Sequence, residues 1–100
     1  MNIRREETDN TTTIFLEGRL DKISSPAVEE ELKKEVGKKK NLIIDFKDLQ
    51  YISSAGLRIL IALQKELKDN GNTMNIINVN KDVFDILNVT GFTYILNVAK

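Results

Sequence analysis

Two adjacent hydroxyls, Ser53 and Ser54, lie in the run Tyr51-Ile52-Ser53-Ser54-Ala55-Gly56-Leu57-Arg58-Ile59-Leu60, where a polar loop gives way to an apolar helical stretch. Serine is a favoured helix N-cap because its oxygen accepts from the free amides of the first turn. Those amides and the helix dipole also suit an anion, so a phosphate on either hydroxyl meets no repulsion from the backbone. Two readings follow: a capped helix and nothing more, or a helix start that carries a phosphate. Hydrolytic chemistry at these serines has no support, because the sequence contains no His and no Cys. That removes the commonest general base, every Ser-His-Asp arrangement, thiol nucleophiles and thiolate zinc sites. No lysine adjoins the pair, no G-x-S-x-G elbow is present, and Gly56 stands alone where phosphate-binding loops need several glycines. Asp45 and Asp48 are spaced to share a cation, but solvent-facing acids at a strand end explain them equally well.

The remaining composition narrows the function classes further. Fifteen basic residues balance fifteen acidic ones in a chain of 100, so no net field draws nucleic acid or an anionic membrane. Arg4, Arg5, Glu6 and Glu7 give the amino terminus a charge pattern foreign to a signal peptide, and no apolar run reaches membrane-spanning length. The expectation is one soluble, cytoplasmic domain over residues 1–100 that binds no metal and no cofactor.

The serines must be held by the elements around them. Residues 11–17, Thr-rich and β-branched, read as a strand with Ile14 and Leu16 on one face and Phe15 on the other. Residues 2–8 read as its antiparallel neighbour, and residues 18–24 as a loop. Ser25-Pro26 reads as an N-cap followed by proline in the first helical position. Val28, Leu32 and Val36 then make one apolar stripe, with Glu29-Glu30-Glu31 and Lys33-Lys34 on a solvated face. Lys38-Lys39-Lys40, flanked by Gly37, reads as a helix C-terminus rather than a nucleic-acid patch. Residues 42–46 form a nearly continuous apolar run, the pattern of a central strand buried on both faces. Leu57, Leu60, Leu63 and Leu67 share one face of the helix that begins at the serines and ends near Asp69-Asn70-Gly71. Residues 74–79 read as the next strand. Asn80 caps a helix with Val83, Phe84, Ile86 and Leu87 inward, ended by Thr90-Gly91, and residues 94–98 give a last strand. Strands alternating with helices imply a mixed, mostly parallel sheet covered by helices.

Asp45-Phe46 closing a buried strand, followed by the run Tyr51 to Leu57, resembles the signature of the bacterial anti-sigma factor antagonists, single-domain members of the STAS class. Gly18-Arg19-Leu20-Asp21 with Ser25-Pro26-Ala27 resembles that family's loop before its first helix. Phe84-Asp85-Ile86-Leu87 and Thr90-Gly91-Phe92, within residues 83–96, resemble its third helix and last strand. The resemblance implies a STAS-like α/β fold across nearly the whole chain.

In that family a serine directly after an acid is phosphorylated by a partner that is both a serine kinase and an anti-sigma factor. By position the acceptor here is Ser54. Ser53 stands where the acid usually is and becomes the alternative acceptor, while Ala55 replaces the usual second hydroxyl. The resemblance thus implies a phosphorylation-controlled binding module in a partner-switching circuit, and not an enzyme. Unphosphorylated, it would dock on an anti-sigma factor/serine protein kinase through Asp21, Ser24, Ser53, Ser54, Ala55, Gly56 and Arg58. A serine phosphatase would reset it, and ATP and any metal would belong to those partners. The protein itself is expected to be a monomer. The alternative is a constitutive STAS scaffold or small-ligand sensor that is never phosphorylated, for which Ser53 in place of the acid is the best support.

Overall fold

The computed structural model describes residues 1–38, 40–92 and 98–99. Strand β1 (Asn2–Glu7) runs antiparallel to β2 (Thr11–Leu20), with Ile3 opposite Leu16 and Arg5 opposite Ile14. The rest of the sheet is parallel. The first half of β2 pairs with β3 (Asn41–Asp45), its last residues pair with β4 (Leu49–Ile52), and β3 pairs in turn with β5 (Thr73–Ile77). Beyond β5, Val98 bridges in parallel to Ile76. The expected strand over residues 94–98 otherwise lies outside the described residues.

Residues 18–24 are not all loop. The strand continues through Gly18 and Arg19 to Leu20 by way of a register shift between Gly18 and Arg19, where Gly18 takes φ +112°. A bulge of this kind re-aims a strand, and glycine adopts the required positive φ at little cost. β4 is an element that the sequence pattern did not show. It follows β3 after the short Lys47-Asp48 turn and pairs with the re-aimed end of β2.

Helix α1 (Ser25–Lys33) connects β2 to β3, α2 (Ser54–Asp69) connects β4 to β5, and α3 (Lys81–Val89) follows β5. The N-cap position of α1 is Ser24 rather than Ser25, with no side-chain capping bond. The helix stops at Lys33, so Val36 packs against the core from the following turn. Leu57, Leu60, Leu63 and Leu67 of α2 are all buried, each worth about 2 kcal/mol in transfer from water. α1 and α2 pack against each other, α2 contacts β5, and α3 contacts β4. Their apolar stripes join Ile14, Leu16, Leu42, Ile44, Met74 and Ile76 in one core. Asn80 caps α3 as expected, accepting from the Val83 N–H at 2.9 Å, and its amide also donates to the Leu49 carbonyl at 2.7 Å.

The expectation that β3 is buried on both faces is corrected. Leu42 and Ile44 face the helices, but Ile43 on the opposite face is only half-buried. Phe15 is half-buried there too, with the Arg4 guanidinium 4.0 Å above its ring. The helices therefore cover one face of the sheet. No described helix is long and apolar enough to cross a membrane.

Glu31 is not simply part of a solvated face. Arg5 of β1 reaches the helix layer and donates to Glu31 Oε1 from Nη2 at 3.0 Å and to the Glu31 carbonyl at 3.1 Å. Its Nη1 meets Glu35, whose side chain is only 3% exposed. Lys38 Nζ closes the cluster, 3.0 Å from Glu35 and 3.2 Å from Glu7. This clasp holds the edge strand β1 to the end of α1.

Candidate functional site

β2 and β4 run parallel, so the loops that follow them leave the sheet side by side. Leu20 pairs with Ile52, and the Ser53 N–H donates to the Leu20 carbonyl at 2.8 Å. Asp21 and Ser53 are therefore the next residues on two adjoining strands. The carboxyl ends of parallel strands are where open α/β sheets most often place their binding loops.

The two serines divide the work at the helix start. Ser53 is the N-cap, in extended conformation (φ −95°, ψ 172°), and its hydroxyl accepts from the Gly56 N–H at 3.4 Å. Its carbonyl accepts from the Leu57 N–H at 3.0 Å. Ser54 is the first residue of α2 and is exposed. Its hydroxyl is free of hydrogen bonds among the described residues. Arg58, also exposed, follows four positions later, so it shares that helix face one turn on. Ala55 is half-buried between them and Gly56.

Gly56 serves the interior. The residue is buried, and a Cβ there would lie 2.6 Å from Leu20 Cγ and 3.2 Å from Ile52 Cγ1. Glycine lets α2 rest directly on the ends of β2 and β4, and so fixes the position of Ser53 and Ser54. Gly56→Ala is expected to destabilise the protein by about 1 kcal/mol, the strain of overpacking exceeding the gain in helix propensity. Thermal unfolding would show a fall of about 5 °C. A rise in melting temperature would contradict this packing role.

Asp21 is turned into its own loop rather than presented as a free acid. Its Oδ1 accepts from the Ile23 N–H at 3.0 Å and the Ser24 N–H at 3.1 Å. The Ser24 backbone N–H, foremost, holds this carboxyl below its ordinary value of 3.8. The Ser24 hydroxyl donates to the Arg19 carbonyl at 2.7 Å and accepts from the Asp21 N–H at 3.0 Å. The Ser25 N–H donates to the Asp21 carbonyl at 2.9 Å, and the Ser25 hydroxyl donates to the same atom. Asp21 and Ser24 thus shape the loop beside the serines. What the loop turns outward is Lys22 and Ile23, the latter 90% exposed. Nearby, the Arg19 guanidinium lies 4.3 Å from the centre of the Tyr51 ring. Ile23 and this stacked pair were not singled out from the sequence; the signal available was an isoleucine inside a polar loop.

Asp45 and Asp48 sit in different settings. Asp45 is 6% exposed and accepts from the Lys47 N–H at 2.8 Å and the Asn78 amide at 2.9 Å. It thereby steadies Asn78, whose φ of +57° needs support. Asp48 is exposed. Among the described residues no three His, Cys, Asp or Glu side chains are grouped to hold a metal ion.

The family model of the STAS domain matches residues 2–100. The chain belongs to the STAS domain family. The proteins it is similar to include several named anti-sigma factor antagonists. The anti-sigma-B factor antagonist of Bacillus subtilis is 23% identical over 99 residues, a match that spans 99% of this STAS chain and 91% of that protein. Among solved structures, an anti-sigma factor antagonist from Mycobacterium paratuberculosis superposes with a TM-score of 0.86 at 20% identity, covering 98% of this chain and 84% of that one. The Bacillus cell fate determinant SpoIIAA, an anti-sigma factor antagonist, is 19% identical in both of its solved forms. Its unphosphorylated form gives a TM-score of 0.81 over 99% of this chain and 89% of that one. Its phosphorylated form gives 0.75 over 99% and 92%. At these identities the superpositions establish the STAS fold of the sheet and its helices.

Proposed function

We propose that this STAS domain is a cytoplasmic, monomeric anti-sigma factor antagonist whose docking on an anti-sigma factor with serine kinase activity is switched by phosphorylation of Ser54. The observation that carries the reading is the division of labour at α2. Ser53 spends its hydroxyl on the cap, while the Ser54 hydroxyl is exposed and unengaged. The sequence-similar antagonist and the two forms of SpoIIAA support the same reading by analogy. A phosphate on Ser54 would bring about −1.5 to −2 charges to the helix start. In the free protein it would meet the first-turn amides, the helix dipole and, one turn on, Arg58. Docking would strip these partners away or force a doubly charged group against the kinase, so the modified protein stays free until a serine phosphatase resets it. Catalysis, ATP and any metal belong to the kinase and the phosphatase.

Intact-mass analysis after incubation with ATP and the cognate kinase tests the assignment. Wild type is expected to gain one phosphate and Ser54→Ala none. Ser53→Ala should still be phosphorylated but melt about 5 °C lower, since loss of a serine cap costs about 1 kcal/mol. Phosphorylation of Ser54→Ala together with failure of Ser53→Ala would move the acceptor to Ser53. A kinase that binds wild type without modifying it would favour the constitutive scaffold, the reading that Ser53 in the acid's position supports.

A further inference from the structure

Ile23 projects from the turn between β2 and α1 with 90% of its surface exposed. A lone apolar side chain on a surface needs no explanation, but the backbone that presents this one is held in place. The Asp21 carboxylate takes the Ile23 N–H itself and the N–H that follows, and the hydroxyls of Ser24 and Ser25 tie the turn to Arg19 and Asp21. The turn is further anchored beside α2 through the Ser53 N–H to Leu20 carbonyl bond. Asp21 is half-buried and spends one carboxylate oxygen within the turn, while Arg19, Lys22 and Arg58 are exposed cations. Arg19 is itself braced on the Tyr51 ring.

A preorganised turn loses little backbone freedom on docking. Binding energy concentrates on such anchors when they fill a pocket and are ringed by polar contacts. We propose that Ile23 is the apolar anchor of the docking surface, seated in an apolar pocket of the kinase partner whose acidic rim faces Arg19, Lys22 and Arg58. The inference rests on the reading of Ser54 as the regulated residue of the same surface, and it gives the phosphate a second effect. By adding negative charge at the start of α2, four positions before Arg58, the phosphate weakens the positive field that an acidic rim reads.

Calorimetric titration of the purified kinase with wild type, Ile23→Ser and Val89→Ser tests the proposal, because Val89 is comparably exposed (85%) on α3. Ile23→Ser should bind about tenfold more weakly or worse, with a melting temperature within about 2 °C of wild type. Val89→Ser should bind as wild type does, and added salt should weaken the wild-type complex. Equal affinity of Ile23→Ser and wild type would overturn the anchor, as would an equal loss in Val89→Ser. If phosphorylated wild type still loses affinity in that case, the Ser54 switch stands without the anchor. If Ile23→Ser loses affinity but phosphorylation does not change that of wild type, the anchor stands and the switch fails.

Discussion

Replacing Arg5 by methionine is expected to cost about 3 kcal/mol of stability and to lower the melting temperature by about 15 °C. The guanidinium is the hub between β1 and α1, bonded to Glu31 and to Glu35, whose carboxylate is buried. Methionine keeps much of the side chain's bulk, so the loss reports the charge rather than a cavity. Removing the cation leaves Glu35 with Lys38, 3.0 Å from the same carboxylate oxygen, as its remaining cation. The pH dependence follows from the direction in which Glu35 is shifted. Burial acts to raise its pKa, but interactions with Arg5 foremost, then Thr12 and Lys38, outweigh burial and hold it below the ordinary 4.5. A carboxyl depressed in the folded state contributes stability above its unfolded value and loses it as the pH falls through the folded one. The difference between wild type and Arg5→Met should therefore be widest near neutrality and shrink below about pH 4.5. Urea unfolding at a series of pH values would measure it, and a gap independent of pH would show that the clasp is not electrostatic.

The second large effect is expected in binding. A phosphate on Ser54 should weaken docking at least about a hundredfold, or about 2.7 kcal/mol. Ser54→Asp should reproduce part of this, about tenfold, because one carboxylate carries less charge and fewer acceptor oxygens than a phosphate. Stability should not follow affinity. Ser53 remains the cap in the variant, and an aspartate in the first helical turn is favoured by the dipole. The melting temperature of Ser54→Asp is therefore expected to hold or rise slightly, which separates an effect on the interface from an effect on the fold.

The helices were legible in the sequence because their apolar residues recur on one face, as Leu57, Leu60, Leu63 and Leu67 do, and because Asn80 and the serines mark where chains enter them. Short or bent strands were not. Leu49–Ile52 is a four-residue strand, too brief for alternation to show, and Gly18 reads as a loop residue in sequence although it forms a bulge within β2. The Arg5 clasp joins residues 26 and 30 positions apart, and nothing local in either segment predicts that pairing. At the site, Ser53 and Ser54 are equally good caps by type. The choice between them is made by the pairing of Leu20 with Ile52, which fixes where β4 ends and α2 begins. For Gly56 the residue type was informative, but its reason lay in the approach of Leu20, which comes from another strand.

The central claim is that charge on Ser54 controls docking. Calorimetric titration of the purified anti-sigma kinase with unphosphorylated protein, fully phosphorylated protein and Ser54→Asp tests it most directly. The account predicts tight binding for the first, a loss of about a hundredfold for the second and about tenfold for the third, with all three melting within a few degrees of one another. Equal affinities across the three would contradict it.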